Sequence, residues 1–136
     1  MIQLNSNEIV ISSASIKIGD QFFESVSIEH VKEKEVANIS FPKELVGDAE
    51  LTLTFTGILN DQMAGFYRSE YVDLKGEKKF MAATQFEATD ARRAFPCWDE
   101  PSRKATFKVL FYFILFYFDF FSNLFFFNQD FSCHSN

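Results

Sequence analysis

Between Ile9 and Thr56 apolar and polar residues alternate in short runs with a period of two, the spacing of a pleated strand with one buried face. Leu51-Thr-Leu-Thr-Phe-Thr56 is the cleanest run, and Thr and Phe suit a pleated surface. Ile9–Ile11, Ser15–Ile18 and Ser25–Glu29 repeat the pattern more weakly. Val36–Phe41 adds another strand, which Pro42 stops because it has no N–H to give to a ladder. Gly19-Asp20 and Gly47-Asp48 supply turn chemistry between these runs. Strands at such spacing predict an all-β fold, an antiparallel sheet or sandwich. No run before residue 88 carries a 3.6-residue period.

Gly57–Gly76 reads as a connection, with an Asn-Asp turn and several aromatics. A further strand is predicted at Lys79–Glu87. Thr89-Asp90 can cap a short helical turn, Ala91–Phe95, which Pro96 ends. Ala105–Val109 starts one more strand.

From Leu110 the text changes to LFYFILFYFDFFSNLFFFNQDFSCHSN. Ten of the 19 Phe fall between Phe111 and Phe131, whereas all 13 Lys and Arg lie at or before Lys108. This predicts two parts: a β domain over 1–108 and a Phe-rich, low-complexity tail over 109–136 without native structure. The codons for Phe, Tyr, Leu, Ile and Asn are rich in T and A, so translation of a T-rich intron would give such a string. Two structural alternatives compete. Val109–Phe127 has the length of a membrane-spanning helix. Asp119 at its centre costs about 2.5–3.5 kcal/mol on insertion, which makes a membrane anchor the weaker choice. The other alternative is an aggregation-prone β segment, aromatic, nearly uncharged and free of Pro.

The charge narrows the function classes. A net charge of −6 excludes the basic density a nucleic-acid binder needs. Two Cys, Cys97 and Cys133, make neither a disulfide scaffold nor a four-ligand zinc site by themselves. The N-terminus MIQLNSNEIVIS lacks a basic stretch followed by an apolar run, so no secretory signal is read and a cytoplasmic setting is expected. His30 and His134 lie far apart in sequence, outside any His-Glu-x-x-His, and His30 fits a solvent-facing strand or turn position. Cys97, within Pro96-Cys-Trp98, fits a small buried hydrophobe better than a nucleophile. In a strand through Lys79–Glu87, Gln85 and Glu87 share a face with Phe86 opposite. An amide and a carboxylate side by side can receive an ammonium group, or they can form an exposed polar edge.

Thr84-Gln-Phe-Glu-Ala-Thr-Asp-Ala-Arg-Arg-Ala-Phe-Pro-Cys-Trp-Asp-Glu-Pro101 resembles the signature segment of the N-terminal domain of M1 zinc aminopeptidases, most of all their puromycin-sensitive branch. Gly57-Ile-Leu-Asn-Asp-Gln-Met-Ala-Gly-Phe-Tyr-Arg-Ser-Glu-Tyr71 resembles the segment that precedes it in that family. The resemblance runs from about Ile2 to Lys108. It implies an antiparallel β-sandwich that packs on a thermolysin-like catalytic domain and helps close the pocket for the first side chain of a peptide substrate. By position in the motif it implies that Glu87 binds the free α-ammonium of the substrate and that Gln85 lines the pocket. The implied reaction is zinc-dependent removal of N-terminal residues from peptides.

The family's Gly-x-Met-Glu-Asn loop, His-Glu-x-x-His, downstream Glu and catalytic Tyr have no match in this chain. No zinc ligand and no catalytic residue is therefore assigned in it, and the fragment alone is expected to be inactive. The family's opening strands also have no match, so the sandwich is expected to be truncated at both ends. Arg92, Arg93, Asp99 and Glu100 read as an ion-pair network around the short turn, with Asp90 as its N-cap and Phe95 and Trp98 as core. Two other functions stay open: a non-catalytic short isoform acting as a binding module, and a small tail-anchored membrane protein.

Overall fold

The computed structural model describes residues 1–103 and, as backbone, the strand Leu124–Cys133. Among the described residues nine strands follow in order: β1 (Ile2–Asn5), β2 (Ile9–Ile18), β3 (Gln21–Glu24), β4 (Ser27–Val31), β5 (Val36–Ser40), β6 (Ala49–Ile58), β7 (Gly65–Val72), β8 (Lys78–Gln85) and β9 (Leu124–Cys133). They form a three-stranded sheet β1-β5-β4, a four-stranded sheet β3-β2-β6-β9 and a hairpin β7-β8. Each of these strand pairs is antiparallel. The all-β, antiparallel expectation holds.

Residues of the two larger sheets meet in one core. Leu4, Ala37 and Ile39 come from the first sheet; Ile11, Ile16, Leu51, Leu53 and Phe55 come from the second. In β6 the odd positions Leu51, Leu53, Phe55 and Gly57 are buried, as the sequence alternation predicts. Burying such a row is the main favourable term, about 1.5–3 kcal/mol for each large apolar side chain.

Two weak runs of the sequence, Ile9–Ile11 and Ser15–Ile18, are one strand. Its ladder with β6 shifts register between Ile11 and Ser13. Buried positions are odd before the shift (Ile9, Ile11) and even after it (Ala14, Ile16). An extra residue in one strand flips the side-chain parity, so the alternation looks interrupted although the strand continues. The Ser12 hydroxyl donates to the Thr54 carbonyl at 3.0 Å and holds the bulge against β6.

The Gly19-Asp20 turn joins β2 to a strand, β3, that the alternation did not reveal; Ile18 pairs directly with Gln21, and Gly19 takes φ +57°. The predicted run Ser25–Glu29 lies two residues further on, as β4. His30 in β4 is exposed.

The segment Gly57–Gly76 holds a strand as well as a connection. β7 pairs with β8 from Gly65↔Gln85 to Val72↔Lys78. Most of the hairpin is half-buried or exposed on both faces, so no burial pattern marks it. Asp73 closes its tip: its carboxylate accepts from the backbone N–H of Lys75 (2.8 Å) and Glu77 (2.9 Å).

Both sides of the 108/109 boundary, and the predicted strand Ala105–Val109, lie outside the described residues. Within the tail, for which composition predicts no native structure, the described part is β9, paired with β6 over ten positions. The candidate span Val109–Phe127 lies outside the described residues up to position 123, and its last four residues belong to β9. Among the described residues no helix is long and apolar enough to cross a membrane.

Candidate functional site

Gln85 is the last residue of β8 and pairs with Gly65, the first of β7. This is one correction to the sequence-based picture: the strand does not reach Glu87, so strand alternation does not put Gln85 and Glu87 on one face. Glu87 lies two residues beyond, in a turn that begins with a cis Glu87–Ala88 peptide bond. The turn is closed by the Asp90 N–H donating to the Phe86 carbonyl at 2.9 Å. Phe86 is half-buried and meets Phe95 edge to face, with centroids 5.7 Å apart. That ring contact anchors the residue between the two polar ones, which both stay exposed.

The chain then makes a 3-10 turn, Ala91–Arg93. Asp90 stands at its N-cap position, but its side chain makes no capping hydrogen bond. Its carboxylate accepts from Arg93 Nε at 3.1 Å instead. A guanidinium brings a full countercharge to the carboxylate, in a charge-assisted bond that holds Asp90 against Arg93 across the short turn. Arg93 also donates to Glu8 at 2.7 Å. Arg92 donates to Asp99 (2.9 Å) and to Glu35 (3.1 Å). Asn7 ties in the same carboxylate through Nδ2–Glu35 Oε1 at 2.7 Å. The expected ion-pair network thus exists around Arg92, Arg93 and Asp99, with Glu8 and Glu35 as partners from the N-terminal part of the chain; Glu100, expected in it, bonds instead through its backbone, its N–H donating to the Trp98 carbonyl and its carbonyl accepting from the Arg103 N–H, each at 2.9 Å.

Burial opposes the charge on Arg92. The hydrogen bonds and charges of Asp99 and Glu35 outweigh it, and the Arg92 pKa is raised. Cys97 is buried between these groups and bridges Asn5 through two backbone hydrogen bonds of 2.8 and 3.0 Å. Burial pushes its thiol up to about 12, with Asp99 adding to the shift and Arg92 opposing it. A thiol in that state is a small hydrophobe and a poor nucleophile, as the sequence indicates. Phe95 is half-buried and packs against the core. Trp98, expected in the core, is 37% exposed and donates its indole N–H to the Gln3 carbonyl at 3.1 Å.

Gly65 links the two signature segments. Its φ is +72°, and a Cβ built on it would lie 2.5 Å from Arg93 Cβ and 3.1 Å from the Asp90 carbonyl oxygen. Only glycine fits that approach. Just ahead of it, Asn60 folds its own loop: Oδ1 accepts from the Gln62 N–H at 2.8 Å and Nδ2 donates to the Ala64 carbonyl at 2.7 Å. Asp61 pairs with Arg68, whose hydrogen bond holds the carboxyl below its usual value. No sequence signal announced Glu8 and Glu35 as partners. The Gly before the aromatic run of β7 was the one available hint of a tight approach.

Among the described residues no group of three or more His, Cys, Asp or Glu could hold a metal ion. The described residues therefore offer no cluster that fits the zinc the resemblance implies.

The antiparallel β domain thus holds its two motif segments against each other, with Gln85 and Glu87 exposed where β8 ends and the chain turns. Residues 1–124 match the Peptidase M1 N-terminal domain, and the chain belongs to that family. The match extends past Lys108, where the motif resemblance stops. The chain is 50% identical over 121 residues to an alanine/arginine aminopeptidase of Saccharomyces cerevisiae, covering 79% of this chain and 14% of that protein. It is 48% identical over 107 residues to aminopeptidase M1-B of Oryza sativa subsp. japonica (78% and 12%). It is 40% identical over 112 residues to a puromycin-sensitive aminopeptidase of Caenorhabditis elegans (80% and 12%). The chain thus spans 12–14% of the length of these relatives.

Proposed function

We propose that residues 1–108 serve as the N-terminal domain of a cytoplasmic, zinc-dependent aminopeptidase, and that 109–136 make no substrate contact. In this role Glu87 receives the α-ammonium of a peptide substrate and Gln85 lines the pocket for its first side chain. Peptide hydrolysis itself belongs to a separate catalytic domain. One observation carries the reading. The exposed pair Gln85 and Glu87 stands at a hairpin end fixed by the Gly65–Arg93 approach and by the ion pairs of Arg92 and Arg93. A recognition carboxylate has to be held in place before the substrate arrives, because ordering it on binding would cost affinity.

The test is a chimera in which residues 1–103 replace the corresponding segment of the Saccharomyces cerevisiae alanine/arginine aminopeptidase. Hydrolysis of an alanyl-arylamide should keep a kcat/KM within about tenfold of the parent, a loss under about 1.4 kcal/mol. A folded chimera without activity would remove the proposal.

A further inference from the structure

We infer that Leu124–Cys133 is the built-in occupant of the outer edge of β6, a strand that closes the four-stranded sheet within one chain. The need for an occupant comes from β6. One of its edges pairs with β2, and its inward row Leu51, Leu53, Phe55 and Gly57 is buried along the strand. A bare second edge would leave ten residues of ladder open beside a wholly apolar row. Such an edge recruits strands from other chains.

The fit comes from the register. Across an antiparallel pair, directly opposite residues share a face. Opposite Leu51, Phe55 and Gly57 stand Phe131, Phe127 and Phe125. Opposite Glu50, Thr52 and Thr54 stand Ser132, Asp130 and Asn128. The apolar-polar alternation of β9 is thus in phase with that of β6. A slip of one residue would put the polar set opposite the core row. Two positions break the phase, Gln129 opposite Leu53 and Phe126 opposite Thr56. The second of these gives the inference its test. Phe126 and Phe127 are neighbours of identical chemistry, and only the register distinguishes them.

The family match ends at residue 124, the first residue of β9. The strand comes from the part of the chain that the family does not explain. The same Phe-rich composition that favours aggregation is, in this register, complementary to a strand edge of the chain's own domain.

The experiment compares Phe126→Asp and Phe127→Asp in the whole 136-residue chain, by thermal unfolding and size-exclusion chromatography. Phe127→Asp should lower Tm by at least about 6 °C or make the chain insoluble, and Phe126→Asp should shift Tm by less than about 2 °C. The wild-type chain and Phe126→Asp should elute as monomers. Equal Tm for the two variants, or equal loss in both, would overturn the inference. A wild-type dimer that exchanges this strand between copies would overturn it as well.

Discussion

Gly65→Ala should destabilise the domain by about 2–5 kcal/mol, of which about 1–2 kcal/mol is the cost of a Cβ in the left-handed region and about 1–3 kcal/mol the cost of overpacking. The φ at this position is +72°. The added Cβ would meet Arg93 Cβ at 2.5 Å, the Asp90 carbonyl oxygen at 3.1 Å and the Arg93 carbonyl carbon at 3.3 Å. None of these atoms moves by rotating a side chain, so the strand start and the 3-10 turn would have to separate. Gly19→Ala is the control. Gly19 has φ +57°, and its added Cβ meets nothing within 4 Å. It should cost only the conformational part, about 1–2 kcal/mol. Urea unfolding of both variants measures the difference. Equal losses would show that the close approach of β7 to the Ala91–Arg93 turn carries no energy.

Arg92→Met should cost about 3 kcal/mol, the low end of the range for breaking a buried ion pair. The side chains of Arg92 and Asp99 are each 13% exposed, whereas that of Glu35 is 39% exposed. Removing the guanidinium takes the countercharge from a largely buried carboxylate on one side and from a half-solvated one on the other. The exposed partner loses less, which sets the lower figure. Arg92→Lys should recover part of the loss. One ammonium carries the charge but lacks the planar fork that serves Asp99 and Glu35 together. A loss under about 1 kcal/mol for Arg92→Met would put the pair on the scale of a surface salt bridge.

Much of this arrangement was legible in the sequence where burial is one-sided. β6 alternates cleanly because one face is buried and the other is polar, so its centre Leu51–Thr56 is legible, although the strand runs two residues further at each end, Ala49–Ile58. β2 alternates too, but the bulge at Ser12 inverts the parity and splits one strand into two apparent ones. β7 escaped because the hairpin buries little on either face, and period two is a signal of unequal burial. The arginine turn was legible from Thr89-Asp90 and Pro96, and the resemblance implied the roles of Gln85 and Glu87. Their spatial relation was not legible. Extending β8 to Glu87 gave a same-face pair, while the strand stops at Gln85 and the chain turns. Glu8 and Glu35 both have φ near +55°, a left-handed backbone that no neighbouring residue type announces. Those conformations bring two distant carboxylates to adjacent arginines.

The composition break in the chain was equally plain, and what it means is sharper for the register of β9. Phe-richness alone suggests aggregation. The in-phase pairing with β6 gives three of those Phe residues positions opposite buried or glycine sites. The Phe126 and Phe127 pair separates these two meanings, since aggregation propensity treats the two positions alike.

The most direct test of the central claim is Glu87→Ala in the chimera with the Saccharomyces cerevisiae relative, measured as kcat/KM on an alanyl-arylamide. If Glu87 receives the substrate's ammonium, the loss should be about 1.5–3 kcal/mol, the scale of a hydrogen bond to a charged group, or roughly 10–150-fold. A folded Glu87→Ala chimera with unchanged KM and kcat would contradict the account.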